Sequence, residues 1–189
     1  MERKQKIRAE HLAKRNALSL AERTLGSSKI SQNLIKYFHR DLTACQKKGV
    51  YGYYPHRSEV SLMELYAWLS EQRIPLAFPV VNGSAMEFYQ VDSMEDFVPG
   101  AFGIMEPFNR SLKAEFKNAV CLVPGSVFDR TGNRYGYGKG YYDRYFSIHE
   151  GVYRIGVAYA AQVEAQIPAE RCDVKMHALV TEDGMEFYC

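Results

Sequence analysis

Residues 133–144 read Asn-Arg-Tyr-Gly-Tyr-Gly-Lys-Gly-Tyr-Tyr-Asp-Arg, and this run holds the chain's most reactive grouping of residue types. Gly136, Gly138 and Gly140 alternate with large residues. Glycine reaches positive φ without steric cost, so successive backbone N–H groups can turn toward one point, and a helix starting near Tyr141 aims its positive end at the same place. An anion suits that hollow. Lys139 adds a mobile charge for phosphate oxygens, and Arg134 offers a planar fork that grips them in pairs. Asp143 at the rim suits Mg²⁺, which commonly takes one or two carboxylates together with substrate phosphates. The implied chemistry is phosphoryl transfer, which rests on positioning and charge neutralisation more than on a side-chain nucleophile.

The familiar phosphate signatures do not fit. Gly132 to Lys139 has one residue too many for a Walker loop, and Gly140 stands where its hydroxyl residue belongs. The glycines run GxGxG and do not open directly off an apolar strand, so the dinucleotide fingerprint fails as well. Two other readings stay open on pattern alone: sequence-tolerant stacking of RNA bases on Tyr135, Tyr137 and Tyr141, and a flexible glycine turn with solvated charges.

The elements around the run alternate. Residues 2–18, free of Gly and Pro, predict a helix, and Lys4, Arg8 and Arg15 give it a basic edge that on pattern alone is a solvated face. Ser19-Leu-Ala-Glu22 is a capping-box pattern opening a second helix that carries Ile30, Leu34 and Phe38. Residues 49–54 predict a strand ended by Pro55. Ser61 to Glu64 is a second capping-box pattern, followed by Leu62, Leu65, Tyr66 and Leu69 at the spacing of one buried helix face. Residues 75–81 and 86–91 predict strands joined by an Asn82-Gly83 hairpin turn. Residues 92–118 predict mostly connection with one short helix near Leu112. The apolar run 119–123 predicts a strand buried on both faces, leading into the glycine stretch. A helix over 141–148 and strands over 152–159, 178–181 and 185–188 complete the pattern. Such alternation predicts an α/β layered sheet with its ligand beyond the carboxyl ends of the strands, where residues 124–144 lie.

Length and composition set outer limits. A chain of 189 residues suits one domain, 1–189, that buries about 70% of its unfolded surface. A net charge of +2 is too small for a general polyanion binder, which argues against nucleic acid as a partner. The N-terminus has no apolar signal core and no apolar run reaches spanning length, so neither secretion nor membrane insertion is expected. Cys45, Cys121, Cys172 and Cys189 form no CxxC pair and read as free thiols in a reducing compartment, the cytoplasm. The five histidines show no metal spacing. The 14 tyrosines, mostly filler, include candidates for packing on a flat ligand.

The stretch Val123-Pro-Gly-Ser-Val-Phe-Asp-Arg-Thr-Gly-Asn-Arg-Tyr-Gly-Tyr-Gly-Lys-Gly-Tyr-Tyr-Asp-Arg144 resembles the signature of the 5-formyltetrahydrofolate cyclo-ligase (methenyltetrahydrofolate synthetase) family. Lys4 and Arg8, Ser58-Glu59-Val60, residues 102–107, Asp173 and residues 178–182 extend the resemblance over nearly the whole chain. Tyr135 stands where the family more often has Leu. The resemblance implies a three-layer α/β/α sandwich with a mainly parallel sheet, and an ATP- and Mg²⁺-dependent ligase that converts 5-formyltetrahydrofolate to 5,10-methenyltetrahydrofolate; a monomer is expected, although the sequence does not give the oligomeric state. It implies Lys139, Arg134 and Tyr141 as catalytic residues. Lys4, Arg8, Arg134, Gly136, Tyr137, Gly138, Lys139, Gly140, Tyr141 and Tyr142 would bind ATP. Tyr54, Glu59, Tyr137, Gly138, Lys139, Gly140 and Tyr141 would bind the folate, with Asp143 and Asp173 on the metal. Gly103 and Glu106 would border the nucleotide, and Asp129 would orient Arg134. A folate- or nucleotide-binding protein without turnover is the alternative on the same fold.

Overall fold

The structure, a computed structural model, describes residues 2–40, 42, 48–170 and 173–188. Cys45, Cys172 and Cys189 lie outside them, and Cys121 is a buried free thiol. A seven-stranded sheet runs in the order β12-β11-β9-β6-β1-β2-β3. Its five inner strands, β11 (Ala178–Thr181), β9 (Tyr153–Val157), β6 (Val120–Pro124), β1 (Val50–Tyr51) and β2 (Leu76–Asn82), are parallel. The edge strands β3 (Ala85–Gln90) and β12 (Gly184–Phe187) are antiparallel to their neighbours. All of β6 is buried, as expected of a central parallel strand covered on both faces.

Alternation along β6 sorts the core into two layers. Val120 and Leu122 face one side with Ile30, Leu34 and Phe38 of α2 (Leu20–His39) and Leu65, Tyr66 and Leu69 of α3 (Met63–Glu71). Cys121 and Val123 face the other with Tyr145 and Phe146 of α4 (Tyr141–Ile148). The α/β/α sandwich read from the sequence is therefore present. The first helix, α1 (Glu2–Ala17), contributes little to either layer. Its Ile7 packs on a small separate cluster of Val127, Tyr135 and Ile167. Among the described residues no helix is long and apolar enough to cross a membrane.

Local signals held where no tertiary partner competed for them. The box at the start of α2 forms, with the Ser19 N–H donating to Glu22 Oε2 at 2.7 Å and the Glu22 N–H to Ser19 Oγ at 3.2 Å. The second box does not. The Ser61 N–H donates instead to Ser27 Oγ at 3.0 Å, and Glu64 accepts from Ser28 Oγ at 2.8 Å. Both groups tie α3 to α2. The predicted strand over 49–54 pairs only at Val50 and Tyr51, because the Tyr66 hydroxyl takes both the N–H and the carbonyl of Tyr53, at 3.0 and 2.8 Å. The β2–β3 hairpin closes one residue later than its sequence signal, with Asn82 paired to Ala85 and Gly83, at φ 60°, first in the loop.

No helix forms near Leu112. The chain there runs extended beside β3, with the Gln90 N–H donating to the Leu112 carbonyl at 2.9 Å and Lys113 bridged to Tyr89. Residues 92–118 instead hold the hairpin of β4 (Phe97–Pro99) and β5 (Met105–Pro107), joined by a 3₁₀ turn over Ala101–Gly103. The sequence also hides a second small sheet, β10-β7-β8 (Val163–Glu164, Val127–Asp129 and Arg134–Tyr135), whose strands are too short to leave a periodic trace.

Asp129 closes the β7–β8 turn, and among the described residues its carboxylate has no hydrogen bond to Arg134, the side chain it was expected to orient. Fully buried, its carboxylate accepts from the Thr131, Asn133 and Ile167 N–H groups, each at 2.9 Å, and from Asn133 Nδ2 at 2.8 Å. Burial pushes the carboxyl upward, but these bonds outweigh it and hold the group below its ordinary value. Asp129→Ala should therefore cost about 3 kcal/mol in urea unfolding at pH 7, since it orphans several buried donors. A depressed carboxyl stabilises above its unfolded value of about 4 and loses that contribution as pH falls through the folded one. The gap between parent and variant should shrink on acidification below about pH 4.

Candidate active site

The end of β6 organises the site. The Pro124 carbonyl accepts from Arg134 Nη1 at 3.1 Å, and Asp143 Oδ2 lies 3.4 Å from Nη2. Arg134 is buried, stands 5.4 Å over the Tyr142 ring, and its Nε has no partner among the described residues. Space explains the adjacent glycines, since a Cβ on Gly136 would come within 2.7 Å of Arg134 Nη1 and one on Gly125 within 3.1 Å of its Cγ. Conformation explains the next two, because Gly138 and Gly140 have φ of 91° and 66°. Gly140 caps α4 without any side-chain hydrogen bond. The first-turn N–H groups of that helix, which no intrahelical carbonyl can take, thus lack a protein cap beside a buried cation.

The β2–β3 loop anchors the start of α4. Arg144 donates to the Ser84 carbonyl through Nε and Nη2, at 3.1 and 2.9 Å, and through Nη1 to the Lys139 carbonyl at 2.9 Å. The Tyr141 hydroxyl donates to the Gly83 carbonyl at 3.0 Å. Exposed Lys139 lies 5.4 Å above the ring of Phe102, which also lies 6.4 Å from the Tyr141 ring. Phe102 is 59% exposed and, like Gly103, adopts positive φ, so the 3₁₀ turn presents an aromatic face to the glycine run.

The basic edge of α1 is not a solvated face. Lys4 pairs with Asp173 at 2.7 Å and Glu170 at 3.1 Å. Burial acts against its charge, but these two partners outweigh burial and hold the ammonium above its ordinary value. Arg8 Nε donates to the Gly136 carbonyl at 2.9 Å. Both cations lie over the Tyr135 ring, at 5.1 and 5.4 Å, so Tyr135 supplies a cation–π face. Arg15 donates to Ser58 Oγ at 3.0 Å and to the Tyr137 hydroxyl at 2.8 Å. That hydroxyl donates to Glu59 Oε1, while the His56 N–H donates to Oε2 at 2.9 Å. Desolvation pushes the Glu59 carboxyl up and, with the charge of Glu59 added, the Tyr137 phenol up as well.

Other expected residues have different partners. Tyr54 packs on Phe97 with ring centroids 4.9 Å apart. Asp143 Oδ1 accepts from the Val174 N–H at 3.3 Å, so its carboxylate abuts the residue after Asp173, whose own Oδ2 takes Lys4 and the Glu170 N–H. Among the described residues no group of three or more His, Cys, Asp or Glu is arranged to hold a metal. Glu106 is a buried clamp that accepts from the Val81 and Ala101 N–H groups and from Arg110, fixing the β4–β5 hairpin to β2. Gln162 escaped sequence reasoning. Buried, it donates through Nε2 to the Gly125 and Ser126 carbonyls at 2.9 and 3.1 Å, and no local pattern marks it.

The fold and the residues gathered at the glycine run define a class: an α/β/α protein that brings cationic and aromatic side chains together beyond the carboxyl ends of its parallel strands. Its relatives narrow the class. The model of the 5-formyltetrahydrofolate cyclo-ligase family matches residues 1–182, and the chain belongs to that family. A probable 5-formyltetrahydrofolate cyclo-ligase of Schizosaccharomyces pombe is 32% identical over 54% of this chain and 58% of its own length. The 5-formyltetrahydrofolate cyclo-ligase of Saccharomyces cerevisiae is 35% identical over 51% of each chain. The chain thus spans about half the length of these curated relatives. The NMR structure of Aquifex aeolicus 5,10-methenyltetrahydrofolate synthetase superposes with a TM-score of 0.76 at 33% identity, covering 97% of this chain and 92% of that one.

The Tyr137 hydrogen bond offsets part of the desolvation of Glu59. Tyr137→Phe should therefore move the Glu59 carboxyl further up. Carboxyl ¹³C chemical shifts followed against pH check this, and an unchanged or lowered midpoint in the variant contradicts it.

Proposed function

We propose that this protein is an ATP- and Mg²⁺-dependent ligase that converts 5-formyltetrahydrofolate to 5,10-methenyltetrahydrofolate, releasing ADP and phosphate. The observation that carries this reading is the buried Arg134, its Nε unpartnered among the described residues, beside the uncapped glycine start of α4. A terminal phosphoryl group matches both in charge and in hydrogen-bonding capacity.

In the proposed sequence the formyl oxygen attacks the γ-phosphorus, an O–P bond forms, and the bond to ADP breaks. The folate's second nitrogen then closes on the formyl carbon and loses its proton, and the C–O bond to phosphate breaks. Arg134 and Lys139 offset charge on the transferring group, and Tyr141, fixed through its hydroxyl to Gly83, braces it from the helix start. Lys4, Arg8 and the backbone of residues 136–142 hold the remaining phosphates. Tyr54, Tyr137 and the glycine run flank the pterin, and Glu59 accepts hydrogen bonds from its N–H groups.

Mg²⁺ fits this donor set only as a shared ion, because Asp143 and Asp173 are two carboxylates and substrate phosphates must supply other ligands. Bound there, the ion would neutralise developing charge on the phosphate oxygens. Both carboxylates now lie against cations, Asp143 against Arg134 and Asp173 against Lys4. Arrival of the nucleotide would exchange those partners, drawing Arg134 and Lys4 onto phosphate and freeing Asp143 and Asp173 for the metal. The same reading makes the protein a cytoplasmic monomer acting on small molecules, without nucleic acid or membrane partners.

With ATP, Mg²⁺ and 5-formyltetrahydrofolate the protein should generate the near-ultraviolet absorbance of the methenyl product, and omission of ATP should abolish it. Lys139→Ala should lower kcat by about 100-fold and leave the unfolding transition in place, since the side chain is exposed. Binding of both compounds without absorbance change would identify a non-catalytic binder instead.

A further inference from the structure

We propose that Arg15 is a positioning residue: through the Tyr137 hydroxyl it fixes the Glu59 carboxylate as hydrogen-bond acceptor for the N–H groups of the reduced pterin. This rests on the functional reading above. Arg15 projects from α1 and is only 4% exposed. Its acceptors are Ser58 Oγ at 3.0 Å, the Tyr137 hydroxyl at 2.8 Å and the Gly125 carbonyl at 3.4 Å, all neutral groups. Among the described residues no carboxylate lies in direct contact with it. A buried guanidinium is costly without a balancing charge. The anion across the hydroxyl is Glu59, bonded to the same Tyr137 oxygen.

The polarity of this chain follows from proton counting. A guanidinium only donates, and a phenol carries one proton with lone pairs to accept. Because Arg15 occupies the accepting side of the Tyr137 oxygen, the tyrosine proton is directed away from Arg15, onto Glu59 Oε1. Gly125 O, the other acceptor in reach, is 3.5 Å away. The His56 N–H holds Oε2 at 2.9 Å. Each carboxylate oxygen then retains a lone pair, and a planar pair of N–H donors is the ligand chemistry such an anchored carboxylate recognises.

Every charged neighbour acts on whether Glu59 stays ionised. Burial opposes ionisation, and the Tyr137 bond, the His56 N–H and the charge of Arg15 favour it, with His56 adding to them when protonated. The phenols of Tyr53 beyond β1, Tyr66 on α3 and Tyr142 on α4 lie within electrostatic range of this carboxylate, and burial holds them neutral. Arg23, Arg57 and Glu64 line the open groove of about 470 Å³ beside it. Arg15 is the one full charge bonded to the Tyr137 hydroxyl that Glu59 shares, among the described residues.

The test compares the parent with Arg15→Met, which keeps an apolar stem and removes every donor, and with Arg15→Lys, which keeps the charge and loses the fork. Glu59 is titrated by ¹³C NMR in the substrate-free proteins, and steady-state kinetics are run across pH. In Arg15→Met the Glu59 midpoint should move up. KM for 5-formyltetrahydrofolate should rise about tenfold at neutral pH, with KM for ATP unchanged and kcat at saturation within about twofold. Arg15→Lys should fall between parent and Met in both readouts. If Arg15→Met does not fold, the Lys variant decides on the same criteria.

An unchanged Glu59 midpoint overturns the proposal, as does a shifted midpoint with unaltered KM for the folate, or a rise confined to KM for ATP. If the parent shows no turnover at all, the functional reading fails. The titration then decides whether Arg15 governs Glu59, and calorimetry with the folate alone decides whether that matters for binding.

Discussion

Two carbonyls at the end of β6 set the geometry of the whole cleft. Pro124 O accepts from Arg134, and Gly125 O accepts from Arg15 and Gln162. β6 is buried throughout, and β9 pairs with it as far as Pro124, which holds these carbonyls in place. Backbone dipoles at the end of a central strand are among the most rigid groups a fold offers. Here they hold two buried guanidiniums, Arg134 and Arg15, in place.

The second constraint is steric. A Cβ on Gly136 would come within 2.7 Å of Arg134 Nη1, one on Gly125 would meet the Phe128 ring at 2.8 Å before reaching Arg134 Cγ at 3.1 Å, and the guanidinium lies over the Tyr142 ring. Glycine in the run thus performs two tasks that look alike in sequence. Gly136 makes room, while Gly138 and Gly140 allow backbone angles that start α4 without a side-chain cap. The result is a helix start without a side-chain cap in the same stretch of chain as a buried cation.

α1 joins the two halves of this cleft. Lys4 and Arg8 gather beside Tyr135 and the glycine run, and Arg15 reaches Tyr137, Ser58 and, through the tyrosine hydroxyl, Glu59. Apolar anchorage of this helix is slight, with Ile7 in a small cluster. Its docking therefore depends on charge and hydrogen bonds, and those are the groups that ligands would compete for. A helix attached in this way responds to occupancy more readily than one bound through a large apolar face.

From sequence alone came the alternation of strands and helices, the buried β6, the α2 cap and the helix that follows the glycine run, because each depends on local propensity or on periodicity along the chain. The spacing of Lys4 and Arg8 by itself marks only a polar helix edge, and the structure sets both against Tyr135 at the start of the glycine run. What the sequence could not carry were choices between competing partners. Ser61 and Glu64 left their capping box for Ser27 and Ser28 on α2, and Tyr53 gave its strand bonds to the Tyr66 hydroxyl. The Asp129 carboxylate is taken up by its own turn. Gln162, and the link from Arg15 through Tyr137 to Glu59, arise between residues far apart in the chain. A hydrogen bond is directional and short, so its partner is selected by the packed arrangement of whole elements, and only the tertiary structure could decide it.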